Sequence, residues 1–252
     1  MSLQLAKLST KRPQRRVREL FRAGALGGMY VVCPATCWQD TAGTVAATVG
    51  SSVARLDDIS GNGIHLTQAT TAAQPILQQD ATGRYYLAFD GVDDCLNATT
   101  TFTVALPAYM AIAIDRLSIG SSDVFFSLSS GLANYMALGG SSGNKSRMQL
   151  RSTARGLTSV IDAGTTMPTG KHVVSALSVA GTCDVFTDGA SANTGANSWV
   201  GGDTITAQAI RLAAPAGGAL PQAMNCYGGI VLLANPGAAR ATIESFLGGL
   251  LQ

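Results

Sequence analysis

The stretch FDGVDDCL, residues 89–96, crowds three carboxylates, Asp90, Asp93 and Asp94, between two apolar residues. Such a cluster suits three kinds of work. Asp-Gly supplies the positive-φ position a tight turn needs, and the following Asp side chains can accept bonds from the turn's own amides. Several carboxylate oxygens converging on a loop can also hold calcium, with Asp57 and Asp58 as added ligands from a preceding loop. The third use, paired acid and base catalysis, is poorly supplied. Sandwich-fold glycosidases usually work with Glu pairs, and this chain holds only Glu19 and Glu244, in segments of different character. The turn reading is the expectation, with Asp57, Asp90, Asp93 and Asp94 as the calcium alternative.

Other chemistry-bearing residues are sparse. The two histidines, His65 and His172, are far apart, and no Gly-x-Ser-x-Gly elbow surrounds a serine nucleophile. GALGG (24–28) lacks the Lys-Ser/Thr of a phosphate loop. Five scattered cysteines do not form a disulfide framework. Cys33 and Cys37 form a C-x3-C pair with no second pair or nearby histidine to complete a zinc site. The expectation is therefore reduced thiols, no catalytic residues, no metal and no cofactor. Trp38 and Trp199 are the natural platforms for stacking a sugar, although tryptophans are more often core residues.

The net charge of +2 conceals an asymmetry. Residues 1–22 carry seven basic side chains (Lys7, Lys11, Arg12, Arg15, Arg16, Arg18, Arg22) against Glu19, leaving a net of −4 for the remainder. RPQRRVRELFRAG (12–24) predicts a short helix: Val17, Leu20 and Phe21 share one stripe, and Gly24 suits a C-terminal cap. It is too short to be stable alone in water and must dock on something. Lys11, Arg12, Arg15, Arg16, Arg18, Leu20, Phe21 and Arg22 are the expected docking residues, favouring an acidic groove of a protein partner over nucleic acid or a membrane surface. No apolar core of a secretory signal follows the basic start, and no apolar run is long enough to span a bilayer, so neither secretion nor membrane insertion is expected.

These residues must be positioned by a β framework. Of 252 residues 46% are apolar, enough for one large core, and only 13% are charged. From about residue 29 short β-type runs recur between Gly, Ser, Asn, Asp and Pro: MYVV (29–32), YYLAF (85–89), YMAIAIDRL (109–117), DVFFSLSS (123–130), YMALGG (135–140), RMQLRST (147–153), HVVSALSV (172–179), CDVFTDG (183–189), QAIRLAA (208–214) and YGGIVLLA (227–234). That rhythm predicts an all-β sandwich or jelly roll. NPGAARATIESFLGGLLQ (235–252) changes period, with Ala239, Ile243, Phe246, Leu247, Leu250 and Leu251 near helical spacing, and predicts one closing helix. The expected division is a basic arm over 1–28 and a sandwich over 29–252.

The segment from LFRAGALGGMY through DDISGNGIHLTQAT to YYLAFDGVDDCL resembles a family of virion-associated proteins of tailed bacteriophages with a concanavalin A-like, laminin-G-type jelly roll. Asp57, Ser60, Gly61, Asn62, Gly63, His65, Gln68, Pro75, Phe89, Asp90, Gly91, Asp93, Asp94 and Leu96 carry the resemblance, which covers residues 20–96. The chain departs from the pattern at MYVVCPATCW, where relatives are acidic, and at Cys95, where an aromatic is usual. The resemblance implies a structural virion protein, assembled in the host bacterial cytoplasm among other phage virion proteins and homotrimeric by analogy. It implies a tail-fibre or baseplate component, with a capsid-surface decoration protein as the alternative. A second reading is a module that binds host surface glycan at the loops or the concave face, and a glycan hydrolase is the reading the sequence supports least.

Overall fold

The computed structural model describes residues 14–119, 122–131, 134–141, 143–152, 157–197, 199, 204–213 and 223–252. Two antiparallel sheets face each other. The first runs β15 (Ala190–Ala196), β14 (Thr182–Thr187), β13 (Gly170–Val179), β8 (Ala108–Arg116), β17 (Ala223–Leu232), β6 (Tyr85–Asp90) and β5 (Ile76–Gln79). β1 (Gly27–Val31) also pairs with β17, lying end to end with β6 along the same edge. The second runs β12 (Leu157–Thr166), β11 (Lys145–Ser152), β10 (Asn134–Ser141), β9 (Ser122–Gly131), β16 (Thr204–Leu212), β7 (Leu96–Ala105), β4 (Leu66–Thr67), β3 (Arg55–Leu56) and β2 (Cys37–Trp38). The expected jelly-roll sandwich is the observed fold.

Strand patterning follows from what each face meets. AYMAIAIDR of β8 is almost continuously apolar because both of its faces are buried. Met110, Ile112 and Ile114 enter the core between the sheets, whereas Tyr109, Ala111 and Ala113 point outward beneath two helices. RMQLR within β11 alternates, with Met148 and Leu150 inside and Arg147, Gln149 and Arg151 outside. The inter-sheet core is wide, and Tyr30 of β1 meets Phe126 of β9 edge to face across it, ring centroids 6.1 Å apart.

Two helices close the outer face of the first sheet. Residues 14–22 form α1, and α2 spans Ala239–Leu251. Val17 and Phe21 of α1 join Ile243, Phe246 and Leu247 of α2 over Met29, Tyr109, Val173, Tyr227 and Ile230. α1 ends at Gly24, whose φ of +91° lets its amide turn back to the Phe21 carbonyl. The expected boundary at residue 28 therefore does not coincide with a break in packing: the apolar stripe of the basic helix is buried on the chain's own sheet. β1 then lies close to β17. A Cβ on Gly27, which has φ of +133°, would sit 2.0 Å from the Val231 carbonyl oxygen, so only glycine fits.

Beyond the short β2, β4 and β5 (Ile76–Gln79), the sequence reading missed the longer β7, β12 and β15. LNATTTFTVA, LTSVIDAGTT and ASANTGA are rich in small and hydroxylated residues and lack a strong apolar alternation, so pairing with neighbours fixes them as strands. TAGTVAATVGSSVARLDD (41–58) alternates weakly and yields only the two-residue β3 and isolated bridges.

Candidate functional site

The acidic hairpin is a self-contained turn. Asp90 Oδ1 accepts the Val92 amide at 2.7 Å, and Asp94 Oδ2 accepts the Asp90 amide at 3.0 Å. One oxygen from each of Asp90, Asp93 and Asp94 falls within 4.8 Å of the others. Burial, reinforced by the charges of Asp90 and Asp93, pushes the Asp94 carboxyl above the ordinary carboxylate range. Asp57 does not join this cluster. Its Oδ2 accepts the Trp38 indole N–H at 2.8 Å, and its Oδ1 takes the Arg55 Nε–H at 2.8 Å and lies 2.9 Å from His65 Nδ1. The four-aspartate calcium set expected from sequence is thus split between two places.

Asp58, not Asp57, organises the SGNG turn, and the sequence reading gave it too little weight. Its carboxylate is buried and accepts four bonds, from the amides of Met29, Ser60 and Ile64 and from the Ser60 hydroxyl, at 2.7–3.0 Å. Asn62 then donates to the carbonyls of Ala25 and Gly27 at 3.1 and 2.8 Å. DISGNG is a latch that holds the link between α1 and β1. Gln68 extends the ties to the acidic hairpin, donating to Cys95 Sγ at 3.1 Å, and Gln74 donates to the Gln68 carbonyl at 2.8 Å.

Trp199 does not offer the expected sugar platform. Trp199 is 1% exposed within the core, and Trp38 is half-buried with its N–H committed to Asp57. A stacking platform needs an open ring face, which Trp199 lacks. In the basic helix, Arg15, Arg16 and Arg22 are exposed, Arg18 and Leu20 are half-buried and Phe21 is buried, while Lys11 and Arg12 lie outside the described residues. Phe21 is buried on the chain itself and is not presented to a partner, and half-buried Leu20 packs beside it. Glu244 is also spoken for: it accepts the Ser175 hydroxyl at 2.6 Å and two bonds from Arg240 at 2.8 Å. All five thiols are free, and burial pushes those of Cys37, Cys183 and Cys226 up to about 12, away from nucleophilic chemistry.

The outer face of the second sheet carries a different arrangement, and no helix packs on it among the described residues. Strand registers align Asn97 (β7), Arg211 (β16), Ser127 (β9), Ala137 (β10), Gln149 (β11) and Val160 (β12) in one row. Each has inward-facing apolar neighbours, such as Ile210 and Leu212 beside Arg211, so the row lies on the outer side of the sheet, with Asn97, Arg211 and Gln149 half-buried, Val160 exposed and Ser127 and Ala137 covered. At a spacing of ~4.8 Å per strand the row is ~24 Å long. The adjacent row holds Ala209, Ser129, Tyr135 and Arg151. Arg211 is half-buried; its Nε–H donates to the Ser129 carbonyl at 3.3 Å and its Nη1 to Asn97 Oδ1 at 3.2 Å. Burial pushes its pKa down, and no carboxylate pairs with it among the described residues. Composition alone could not reveal this row, because it exists only once six separate strands are in register.

Several solved structures share this architecture. Domain 4 of AbnA, an extracellular arabinanase from Geobacillus stearothermophilus in complex with arabinotriose, matches with a TM-score of 0.53 at 12% identity, over 78% of this chain and 92% of that one. An arabinofuranosidase complexed with arabinofuranosyl-α-1,2-xylobiose matches with a TM-score of 0.59 at 16% identity, over 92% of this chain and 64% of that one. The ligand-binding domain of botulinum neurotoxin serotype D, in complex with N-acetylneuraminic acid, gives a TM-score of 0.54 at 11% identity, over 77% of this chain and 48% of that one. The shared fold is a jelly-roll β-sandwich. Identities this low carry the fold and no more. No protein-family model matches the chain, and no curated protein matches it.

Proposed function

We propose that the chain is a lectin-like binding module of a tailed-phage particle, taking host surface glycan on the outer face of its second sheet without cleaving it. The observation that carries the binding half is the asymmetry of the two sheets. α1 and α2 cover the outer face of the first with apolar side chains, whereas the second carries Asn97, Arg211 and Gln149, each half-buried, in one register-aligned row on its outer face. A few polar groups fixed on rigid strands are what orienting a sugar's hydroxyls requires. The sandwich folds solved with arabinose-containing ligands and N-acetylneuraminic acid support this reading at the level of fold.

The virion half rests on the resemblance carried by SGNG, His65, Gln68 and FDGVDD. Contact with the host surface favours a tail-fibre or baseplate position over capsid decoration. The exposed Arg15, Arg16 and Arg22 on α1 supply a cationic stripe for a neighbouring virion protein, with the helix itself fixed on the sandwich. A glycan array probed with the full chain, together with immunogold labelling of particles from the same host, tests both halves. Binding to host-type glycans and label at the tail tip are expected. Absence of any glycan signal removes the first half, and unlabelled particles remove the second.

A further inference from the structure

The glycan reading leaves the chemistry of the sugar open, and Arg211 narrows it. We propose that the outer face of the second sheet selects acidic glycans, with Arg211 gripping a sugar carboxylate; this rests on the glycan reading. A guanidinium has five N–H groups, and Arg211 spends two, on the Ser129 carbonyl and Asn97 Oδ1, both neutral acceptors. Three remain. A half-buried cation has lost part of its hydration, and among the described residues no carboxylate repays it. Two bonds fix the plane of the fork in advance, so little ordering is lost when a planar carboxylate meets it in a bidentate pair.

The surroundings agree in sign. On the outer face of this sheet Arg55, Lys145, Arg147, Arg151 and Arg211 stand against Asp57 and Asp162 among the described residues, and Arg55 is met by Asp57 at 2.8 Å. Arg147 is satisfied by Asp162 through two bonds, at 2.5 and 3.0 Å. Arg151 is exposed and has no such partner among the described residues; it sits on β11, three strands from β16, on the row beside Arg211. That separation is ~14 Å across the sheet, within reach of one extended ligand. Between them stand Tyr135 and Gln149, whose side chains approach at 3.4 Å and offer a ring and an amide. This cationic face belongs to a body whose net charge outside residues 1–22 is −4, so the local sign is not an overflow of general basicity.

The groove of about 550 Å³ beneath α2 has the opposite character. Its Lys171 is met by Asp80 and the Leu251 carbonyl, and its Arg240 by Glu244, so its cations are already paired.

The test is calorimetric titration of the full chain with matched pairs: galacturonate and glucuronate oligomers, sialyl-lactose, and the neutral oligomer or lactose of the same linkage. Acidic members are expected to bind at least about tenfold more tightly, with affinity falling as salt rises. Arg211→Gln, checked by an unchanged melt, is expected to lose that preference and keep any residual neutral binding. Should Arg211→Gln melt early, Arg151→Gln, at an exposed site, is expected to reduce the acidic preference and flatten its salt dependence. Equal affinity for acidic and neutral members overturns the proposal while leaving glycan binding intact. An acidic preference that survives both substitutions places the anion elsewhere and also overturns it. No binding to either class removes the glycan reading and this inference with it.

Discussion

Arg116 of β8 and Asp123 of β9 form a buried ion pair, 2.7 Å between Nη2 and Oδ2, that joins the two sheets through the core. Both side chains are essentially inaccessible, and Arg116 Nη1 also donates to the Met167 carbonyl at 2.7 Å. Gly140 makes room for the pair: a Cβ there would sit 2.8 Å from Arg116 Nη2 and 3.0 Å from Asp123 Oδ2.

A buried pair need not add net stability, but removing one partner strands the other charge. Asp123→Ala is expected to cost about 3–5 kcal/mol in urea unfolding. Replacing both residues with apolar ones should cost much less than that single change. A single-variant cost below about 1 kcal/mol would show that the arginine finds water or another acceptor.

The SGNG latch predicts sensitivity at Asp58 rather than at Asp57. Asp58→Asn turns an amide N–H₂ toward donors and leaves bonds unmade, for an expected loss of about 1–3 kcal/mol. Asp57→Asn, at a more exposed site, keeps an oxygen for one of its donors and should cost less. Chemical denaturation of the two variants side by side gives the order, and the reverse order would refute the latch.

The docked helix predicts that α1 is part of the fold. Phe21→Ala should lower stability by about 3 kcal/mol, as for other buried aromatics, whereas Arg16→Ala should stay within about 0.5 kcal/mol. Deleting residues 1–24 uncovers Met29, Tyr109 and Ile230 and should yield a destabilised, association-prone chain. A deletion variant with an unchanged melt and a monomeric elution would contradict the packing.

Asp94 gives a pH test of the turn reading. Its folded pKa is raised, so between the ordinary value of 3.8 and that higher value the folded state holds more proton than the unfolded one. Stability contributed by Asp94 therefore falls as pH rises through this window. Asp94→Asn, which keeps the acceptor for the Asp90 amide, should remove that fall and leave the melt at pH 7 equal or higher. A lower melt that added calcium restores in the wild type alone would instead make the hairpin a cation site.

The jelly roll was legible because its central strands are apolar on one or both faces and its turns carry Gly and Asp. β7, β12 and β15 were not, since threonine-, serine- and alanine-rich segments become strands through their neighbours. The stripe Val17, Leu20 and Phe21 correctly required a docking surface, but sequence could not say that the surface was the chain's own sheet. The tryptophans drew attention as sugar platforms by residue type alone, and burial removes Trp199. Arg211 carried no local signal: its meaning comes from Asn97 and Ser129, more than 80 residues away in sequence.

The most direct measurement is an amide chemical-shift titration of the labelled chain with fragmented surface polysaccharide of the host bacterium. Saturable shifts confined to Asn97, Ser127, Ala137, Gln149 and Arg211, with the 90–94 hairpin and the α2 groove unmoved, are expected. Shifts centred on the hairpin or on α2, or none at millimolar sugar, would contradict glycan binding on the outer face of the second sheet.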